Sequence, residues 1–132
     1  MAMIRFHQEG KYMKLVVFNV GSALCVYAEH QTTRIVFDIG KGNNFSPVND
    51  FLLPLYEKRG EHRLKNRNNR YGISQLIVSH PHKDHISDIQ EFDKNFYAHL
   101  LTTPNSKSPN GNPQNINWRK ITTPDDPDVK YL

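Results

Sequence analysis

The chain has 132 residues, of which 37% are hydrophobic and 23% are charged, and its formal net charge at pH 7 is +4. This length suits one domain with a real core, and the composition excludes a disordered, fibrous or collagen-like protein. The mild positive charge permits an anionic ligand, such as a phosphate or a nucleic acid, without requiring one.

The cysteine content and the hydropathy pattern indicate the cellular location of the protein. Cys25 is the single cysteine, so no disulfide can form within the chain, and we expect a buried thiol in a reducing compartment. The most apolar stretch, residues 15–28, is interrupted by Asn19, Gly21 and Ser22. It is shorter than the roughly 18 residues of a membrane span and lacks the cleavage pattern of a signal peptide. We therefore predict a cytoplasmic protein with no membrane association.

The first forty residues predict three strands. Residues 1–12 are polar and weakly patterned, and we assign them to an N-terminal extension. β-Branched and aromatic residues then predict strands at 13–20, 22–30 and 31–40. The short polar stretch between the last two predicts a hairpin, and hence an antiparallel pair. Three glycines mark points where the backbone is expected to turn or to approach a neighbour closely: Gly21, Gly40 and Gly42.

A helix is predicted at residues 46–60. Ser46 can cap it, Pro47 occupies its first position, and an apolar face follows at helical spacing. Pro54 is expected to kink or shorten this helix, because proline has no N–H to donate. A basic stretch follows at residues 59–72.

The second half of the patterned region predicts a strand, a helix and a strand. The strand covers 73–80, the helix covers 87–96 with Ser87 as its cap, and the last strand covers 97–104. The remaining residues, 105–132, are rich in proline and asparagine and predict loop or weakly ordered chain.

A dense group of histidines and carboxylates follows the strand at 73–80. The segment SHPHKDH contains His80, His82, Asp84 and His85. In extended backbone, residues at i and i+2 point to the same side, so His80 and His82 can bind one cation together. Asp84 and His85 come one turn later and can bind a second ion or complete a shared site. The alternative is a polar loop in which Asp84 caps a helix and the histidines are solvated.

The donor types indicate which metals such a site would accept. Imidazole nitrogens with one carboxylate suit zinc, and also manganese or ferrous iron. Two ions held close together could share a bridging water whose pKa falls toward neutrality, which makes a hydroxide nucleophile available at physiological pH.

The SHPHKDH segment matches the H-x-H-x-D-H signature of the metallo-β-lactamase fold hydrolases. Residues 13–42 also resemble the opening strands of that family, including its D-x-G turn at Asp38 and Gly40. The competence-protein-like branch is the most similar, although this chain has VGSAL where that branch has V-G-x-G-D. The resemblance covers residues 13–104.

The resemblance implies a fold of the α/β (α+β) class. Residues 13–104 would form the N-terminal half of an αββα sandwich, with a mixed sheet and flanking helices. Residues 105–132 would follow it as a Pro/Asn-rich C-terminal segment. The metal site would lie at one edge of the sheet.

The resemblance also implies a set of site residues. His80 and His82 would bind the first of two zinc ions, and Asp84 and His85 the second. Asp84 would in addition be the catalytic residue that orients the attacking water. Asp38 would lie beneath the metal loop and support the ligands through hydrogen bonds; a turn-capping aspartate is the alternative.

The family completes its site with a further histidine, a bridging aspartate and a last histidine. Only one histidine follows His85, namely His99, and its strand-like context predicts a packed or surface residue. The carboxylates of the C-terminal segment are expected to be solvated turn residues: Asp125, Asp126 and Asp128. We therefore expect that this chain carries half a site. Either it is a truncated or interrupted gene product, or self-association or a partner chain supplies the rest.

The resulting prediction is a metal-dependent hydrolase. A metal-bound hydroxide would attack an ester or phosphodiester-type bond of an unidentified small-molecule or phosphoester substrate. The alternative is a non-catalytic metal-binding fragment, or a binding module completed by a partner. The basic stretch 59–72 could contact phosphates, including those of a nucleic acid; a solvated loop between a helix and a strand is its other interpretation.

Overall fold

Six strands form one sheet in which every strand lies beside its neighbour in sequence. The computed structural model describes residues 2–8, 11–79 and 83–102, and the side chains of residues 13–79 and 84–102. The strands are β1 Ala2–Gln8, β2 Lys11–Val17, β3 Cys25–His30, β4 Thr33–Ile39, β5 Tyr71–Ile77 and β6 Phe96–Thr102. β1 to β4 run antiparallel, whereas β4, β5 and β6 run parallel. The described chain is thus a mixed α+β fold, as the sequence predicts at this level.

The N-terminal residues belong to the sheet. Residues 2–8, which the sequence pattern assigns to an extension without an element, form β1 and pair with β2 from Ala2↔Val17 to Gln8↔Lys11. A period-two alternation of apolar and polar residues in this segment is the signal for the strand. The predicted hairpin of β3 and β4 is confirmed: His30 pairs with Thr33, and Gln31 takes a positive φ of 54° in the turn.

The predicted helix at 46–60 is present in two joined parts. A π-helical turn, Pro47–Leu52, continues directly into α1, Leu53–Lys58. The hydroxyl of Ser46 accepts a hydrogen bond from the N–H of Asn49 at 3.0 Å, which confirms the predicted cap. The N–H of Leu53 bonds to the carbonyl of Val48, five residues back. Pro54 follows at once and has no N–H, so the change of hydrogen-bond register falls where proline interrupts the ladder.

The second predicted helix is also shorter than expected. α2, Lys83–Ile86, is followed by α3, Ile89–Asn95, whose cap position is Asp88. The predicted cap at Ser87 is therefore wrong. The hydroxyl of Ser87 instead accepts a hydrogen bond from the N–H of Lys41 at 2.8 Å, because this segment is held by the neighbouring loop rather than by its own helix.

The core lies between the helices and one face of the sheet. Its sheet side includes Val16, Tyr27 and Val36, and its helix side includes Leu52 and Phe92, all fully or almost fully buried. Burying these side chains is the main favourable contribution to folding, about 25 cal/mol for each Å² of apolar surface removed from water. Cys25 belongs to the same core, which confirms the predicted buried thiol.

The opposite face of the sheet is apolar as well. One cross-strand row joins Leu15, Ala28, Ile35, Gln75 and Leu100 through consecutive strand pairs. Exposure reaches 55% for Leu100 and 37% for Phe37, which lies two residues after Ile35 in β4. We call Leu15, Ala28, Ile35, Phe37 and Leu100 together the outer face. The described helices contribute to the core on the other side of the sheet.

Candidate metal centre

The predicted ligands fall partly outside the described residues. His80 and His82 lie outside them, as do Asp125, Asp126 and Asp128 of the segment 105–132. Asp84 and His85 lie on α2, the next described element after β5 in the chain. Of the four predicted ligands, the structure therefore describes the surroundings of Asp84 and His85.

Asp38 contacts the segment that carries the motif. It lies near the end of β4, is only 1% exposed, and has a positive φ of 55°. Its carboxylate accepts hydrogen bonds from the N–H of Ser79, at 2.7 Å, and from the Ser79 hydroxyl. The Nδ1 atom of His85 lies 3.0 Å from its Oδ2. A buried carboxylate requires such donors, and aspartate is among the residues that tolerate a left-handed backbone.

The contact with Asp38 fixes the orientation of the His85 ring. A carboxylate oxygen accepts hydrogen bonds, so this contact suits the tautomer of His85 in which Nδ1 carries the hydrogen. The other ring nitrogen, Nε2, lies 3.4 Å from Oδ2 of Asp84. The Asp84 side chain is half exposed. The arrangement therefore places an imidazole nitrogen beside a solvent-accessible carboxylate oxygen.

Backbone contacts hold α2 against two neighbouring loops. The carbonyl oxygen of Asp84 accepts a hydrogen bond from the N–H of Leu24 at 3.3 Å, and Gly40 packs directly beneath the same carbonyl. The N–H of Asp88 donates to the carbonyl of Ile39 at 2.8 Å. A close approach at Gly40 agrees with the prediction made for this glycine. The position of Asp84 thus depends on the loops that follow β2 and β4.

Asp88 is a buried carboxylate that joins the motif segment to the helix before it. The helix predicted at 87–96 includes this residue, whereas the structure puts it at the cap position of α3, 1% exposed. Its Oδ2 accepts hydrogen bonds from the Ser46 hydroxyl at 2.7 Å and from the N–H of Val48 at 3.0 Å. Its Oδ1 is buried without a hydrogen-bond partner among the described residues. Burial raises the pKa of Asp88, and these two hydrogen bonds only partly oppose the rise.

We expect Asp88→Asn to become more stable relative to the natural chain as pH rises. A raised pKa means that the folded state binds the proton more tightly than the unfolded state. Asp88 therefore contributes stability at acidic pH, and this contribution is lost as pH rises through its folded pKa. The asparagine carbonyl can accept the same two hydrogen bonds and does not titrate. Denaturant unfolding between about pH 4 and about pH 7 measures the difference.

The control for this prediction is Glu57→Gln, which removes an exposed carboxylate on α1. It gives the change in unfolding free energy that the loss of one surface carboxylate causes. If Asp88→Asn and the natural chain lose stability in parallel over the whole pH range, the raised pKa of Asp88 is contradicted.

The described residues include two of the four predicted metal ligands, Asp84 and His85. Within them, and so without His80 and His82, no group of three or more His, Cys, Asp and Glu side chains is arranged to hold a metal ion. Asp84 and His85 provide one carboxylate and one imidazole side by side, which are donors that zinc, manganese and iron accept. The chemistry of this pair fits the predicted site, and the roles of all four ligands stay predictions.

Several arginine side chains of the basic stretch 59–72 contact carboxylates or aromatic rings of the same chain. The guanidinium group of Arg59 pairs with the buried carboxylate of Glu29 through two hydrogen bonds, and Arg70 lies 3.1 Å from the carboxylate of Asp93. The guanidinium of Arg63 stacks over the ring of Tyr71, 4.3 Å from its centroid. These contacts favour a structural role for much of the stretch. A role in binding phosphates stays a prediction.

Two remaining expectations concern His99 and the membrane. His99 lies on β6, is exposed, and packs edge-on against the ring of Tyr97, which confirms it as a strand residue at the surface. None of the described helices has both the length and the apolar character that crossing a bilayer requires.

Comparisons with protein-family models, with curated proteins and with solved structures give no match to this chain. Any assignment of function therefore depends on the fold and on the geometry around Asp38, Asp84 and His85.

Proposed function

We propose that this chain carries part of the metal site of a hydrolase of the metallo-β-lactamase type, acting on an ester or phosphodiester bond. The observation that carries the proposal is the 3.0 Å contact between Nδ1 of His85 and the buried carboxylate of Asp38. Histidines that bind metals commonly donate their second ring N–H to a carboxylate, which fixes the tautomer and turns the other nitrogen to the metal. Here that nitrogen lies beside Asp84.

The position of the motif in the sheet supports the same proposal. β4 and β5 are parallel, so their C-terminal ends meet at one edge of the sheet. Asp38 lies at the end of β4, and the H-x-H-x-D-H segment follows β5. Ligand and catalytic sites of parallel strands are characteristically built at the carboxyl ends. The contact of His85 with Asp38 therefore brings Asp84 and His85 to the edge where a site is expected.

Each residue has a defined task in this proposal. His80, His82, Asp84 and His85 bind the cations, zinc being the first candidate. Asp38 holds the tautomer and the ring orientation of His85, and Asp84 orients the attacking water. When bound, the cations lower the pKa of water and polarise the ester. A cytoplasmic location is part of the proposal, because a single cysteine suits a reducing compartment.

A second candidate function is a metal-binding module that a partner chain completes. The outer face favours it, because Phe37 and Leu100 are apolar and exposed on a sheet whose described helices cover only the other side. Exposed apolar patches of this kind commonly mark interaction surfaces. The two candidates share the metal ligands and differ in whether hydrolysis follows.

The test of both is metal content. We expect the protein purified without chelators to hold roughly one or two ions of zinc, manganese or iron per chain. His82→Ala and His85→Ala should each lose most of this metal, because each removes an imidazole ligand. Elemental analysis of the natural chain and the variants gives the result, and native mass spectrometry shows whether the metal-bound form is a monomer or an assembly.

The matched control is His62→Ala, which removes an exposed histidine far from the motif in sequence. It should keep the full metal content. Metal that is absent from the natural chain, or equal in all the variants, would contradict both candidate functions. If metal is bound, hydrolysis of a phosphodiester probe, lost in Asp84→Asn, separates the hydrolase from the binding module.

A further inference from the structure

A polar cavity lies beside the candidate metal site. It has a volume of about 330 Å³ and opens between two loops, residues 19–22 after β2 and residues 41–45 after β4. We call it the loop pocket. Its size falls at the lower end of the range for small-molecule sites. Of the proposed metal ligands, the two whose side chains the structure describes, Asp84 and His85, do not line it.

The lining of the loop pocket is rich in hydrogen-bond donors and has one kind of charge. Four neutral polar side chains line it: Asn19, Ser22, Asn43 and Asn44. Within the described part of the chain, these side chains make no hydrogen bond to other protein groups. Lys41 adds a positive charge, and the residues that the structure describes in the lining include neither aspartate nor glutamate. All of these side chains are exposed, so a ligand would replace water at their amide and hydroxyl groups, and together with one ammonium group they favour a ligand that bears anionic oxygens.

The loop pocket is joined to the motif by direct contacts. The loop after β4 donates from the N–H of Lys41 to the Ser87 hydroxyl at 2.8 Å, and Gly40 packs against the Asp84 carbonyl. The strand that follows the other loop begins just after Leu24, whose N–H donates to the same carbonyl. A group bound in the loop pocket is therefore adjacent to the segment that carries Asp84 and His85.

We propose that the loop pocket binds the phosphate oxygens of the substrate, so that the ester hydrolysed at the metal site is a phosphoester. This deepens the proposed function and rests on it for the hydrolytic step, though not for the binding. Lys41 supplies charge attraction, and Asn43 and Asn44 supply neutral hydrogen bonds that fix the orientation of the group. The shared chemistry of phosphomonoesters and phosphodiesters is the oxyanion, which both classes present to these donors.

The experiment is a titration followed by amide NMR on the full chain as purified, at constant ionic strength. Inorganic phosphate serves as the monoester-like probe and dimethyl phosphate as the diester probe. We expect at least one of them to bind in the millimolar range, with the largest shifts at the amides of residues 19–22 and 41–45. Lys41→Met and Asn43→Ala should each weaken binding by about tenfold, the loss expected for one charge-assisted or well-placed hydrogen bond.

Two further proteins make the result decisive. Lys58→Met removes an exposed lysine on α1 and should leave binding unchanged. His85→Ala should lose metal, so it distinguishes phosphate bound in the loop pocket from phosphate bound to the metal. Pocket shifts that persist in His85→Ala and are lost in Lys41→Met support the proposal, even if metal analysis refutes the hydrolase. Binding that is lost in His85→Ala but kept in Lys41→Met and Asn43→Ala would mean that phosphate binds the metal, and it would overturn the proposal. The failure of both probes to bind would overturn it as well.

Discussion

Gly40→Ala is expected to lower the free energy of unfolding by about 3 kcal/mol, at the upper end of what overpacking costs. A Cβ atom at this position would overlap the carbonyl oxygen of Asp84 and would lie 2.7 Å from Cβ of Ala23 and 3.0 Å from the N atom of Leu24. Two of these atoms belong to backbone, so no side-chain rotation can relieve the overlap. α2 or the loop after β2 must move instead.

The matched control is Gly42→Ala, two residues further along the same loop. A Cβ atom there would lie 3.4 Å or more from its neighbours, which is ordinary contact, so its effect should stay below about 1 kcal/mol. Denaturant unfolding of both variants gives the comparison. Equal stability of Gly40→Ala and Gly42→Ala would mean that the close approach of the Gly40 loop to α2 does not exist in solution.

Asp38→Asn is expected to weaken metal binding by about 10- to 100-fold, as changes behind a metal ligand commonly do. Asparagine keeps the shape of aspartate and tolerates the positive φ of 55°. It removes the carboxylate that faces Nδ1 of His85 at 3.0 Å, and an amide NH₂ in that place would favour the opposite tautomer, with the hydrogen on Nε2. Competition with a chromophoric chelator measures the affinity for zinc.

Asp38→Ala separates folding from metal binding at the same position. It removes the acceptor for Ser79 and His85 and puts alanine at a positive φ. We expect the metal-free protein to lose about 2–3 kcal/mol of unfolding free energy in this variant, and less in Asp38→Asn. Glu57→Gln serves as the control for both. Full zinc affinity in Asp38→Asn would show that Asp38 has a structural role only, the turn-capping alternative.

The sequence predicts the central elements of the fold because their patterns are local. The β3–β4 hairpin follows from two strand-like runs joined by a short polar turn, and the helix at Ser46 follows from a cap and a proline at the first helical position. The predicted cap at Ser87 is wrong because its hydroxyl has a long-range partner, the N–H of Lys41, 46 residues away. Local propensity cannot reveal such a partner.

The same limit applies to the candidate site. The spacing of His80, His82, Asp84 and His85 is visible in the sequence. The resemblance, and no local pattern, is what predicts that Asp38 supports them, because its contact with His85 requires the parallel pairing of β4 and β5. The loop pocket combines residues from two loops that become neighbours only in the folded sheet. No local pattern predicts that Asp88 is buried and hydrogen-bonded, since its partners Ser46 and Val48 lie 42 and 40 residues before it.

The order of the strands has a consequence for how the protein folds. β1 to β4 form a meander of adjacent antiparallel pairs, whose contacts close short loops. The parallel pair of β4 and β5 must close a much longer loop, and the Asp38–His85 contact spans 47 residues. Long-range parallel pairing is slow because the entropy of loop closure must be overcome first. We therefore expect the proposed metal ligands to come together late in folding, so that a bound cation would slow unfolding more than it speeds folding.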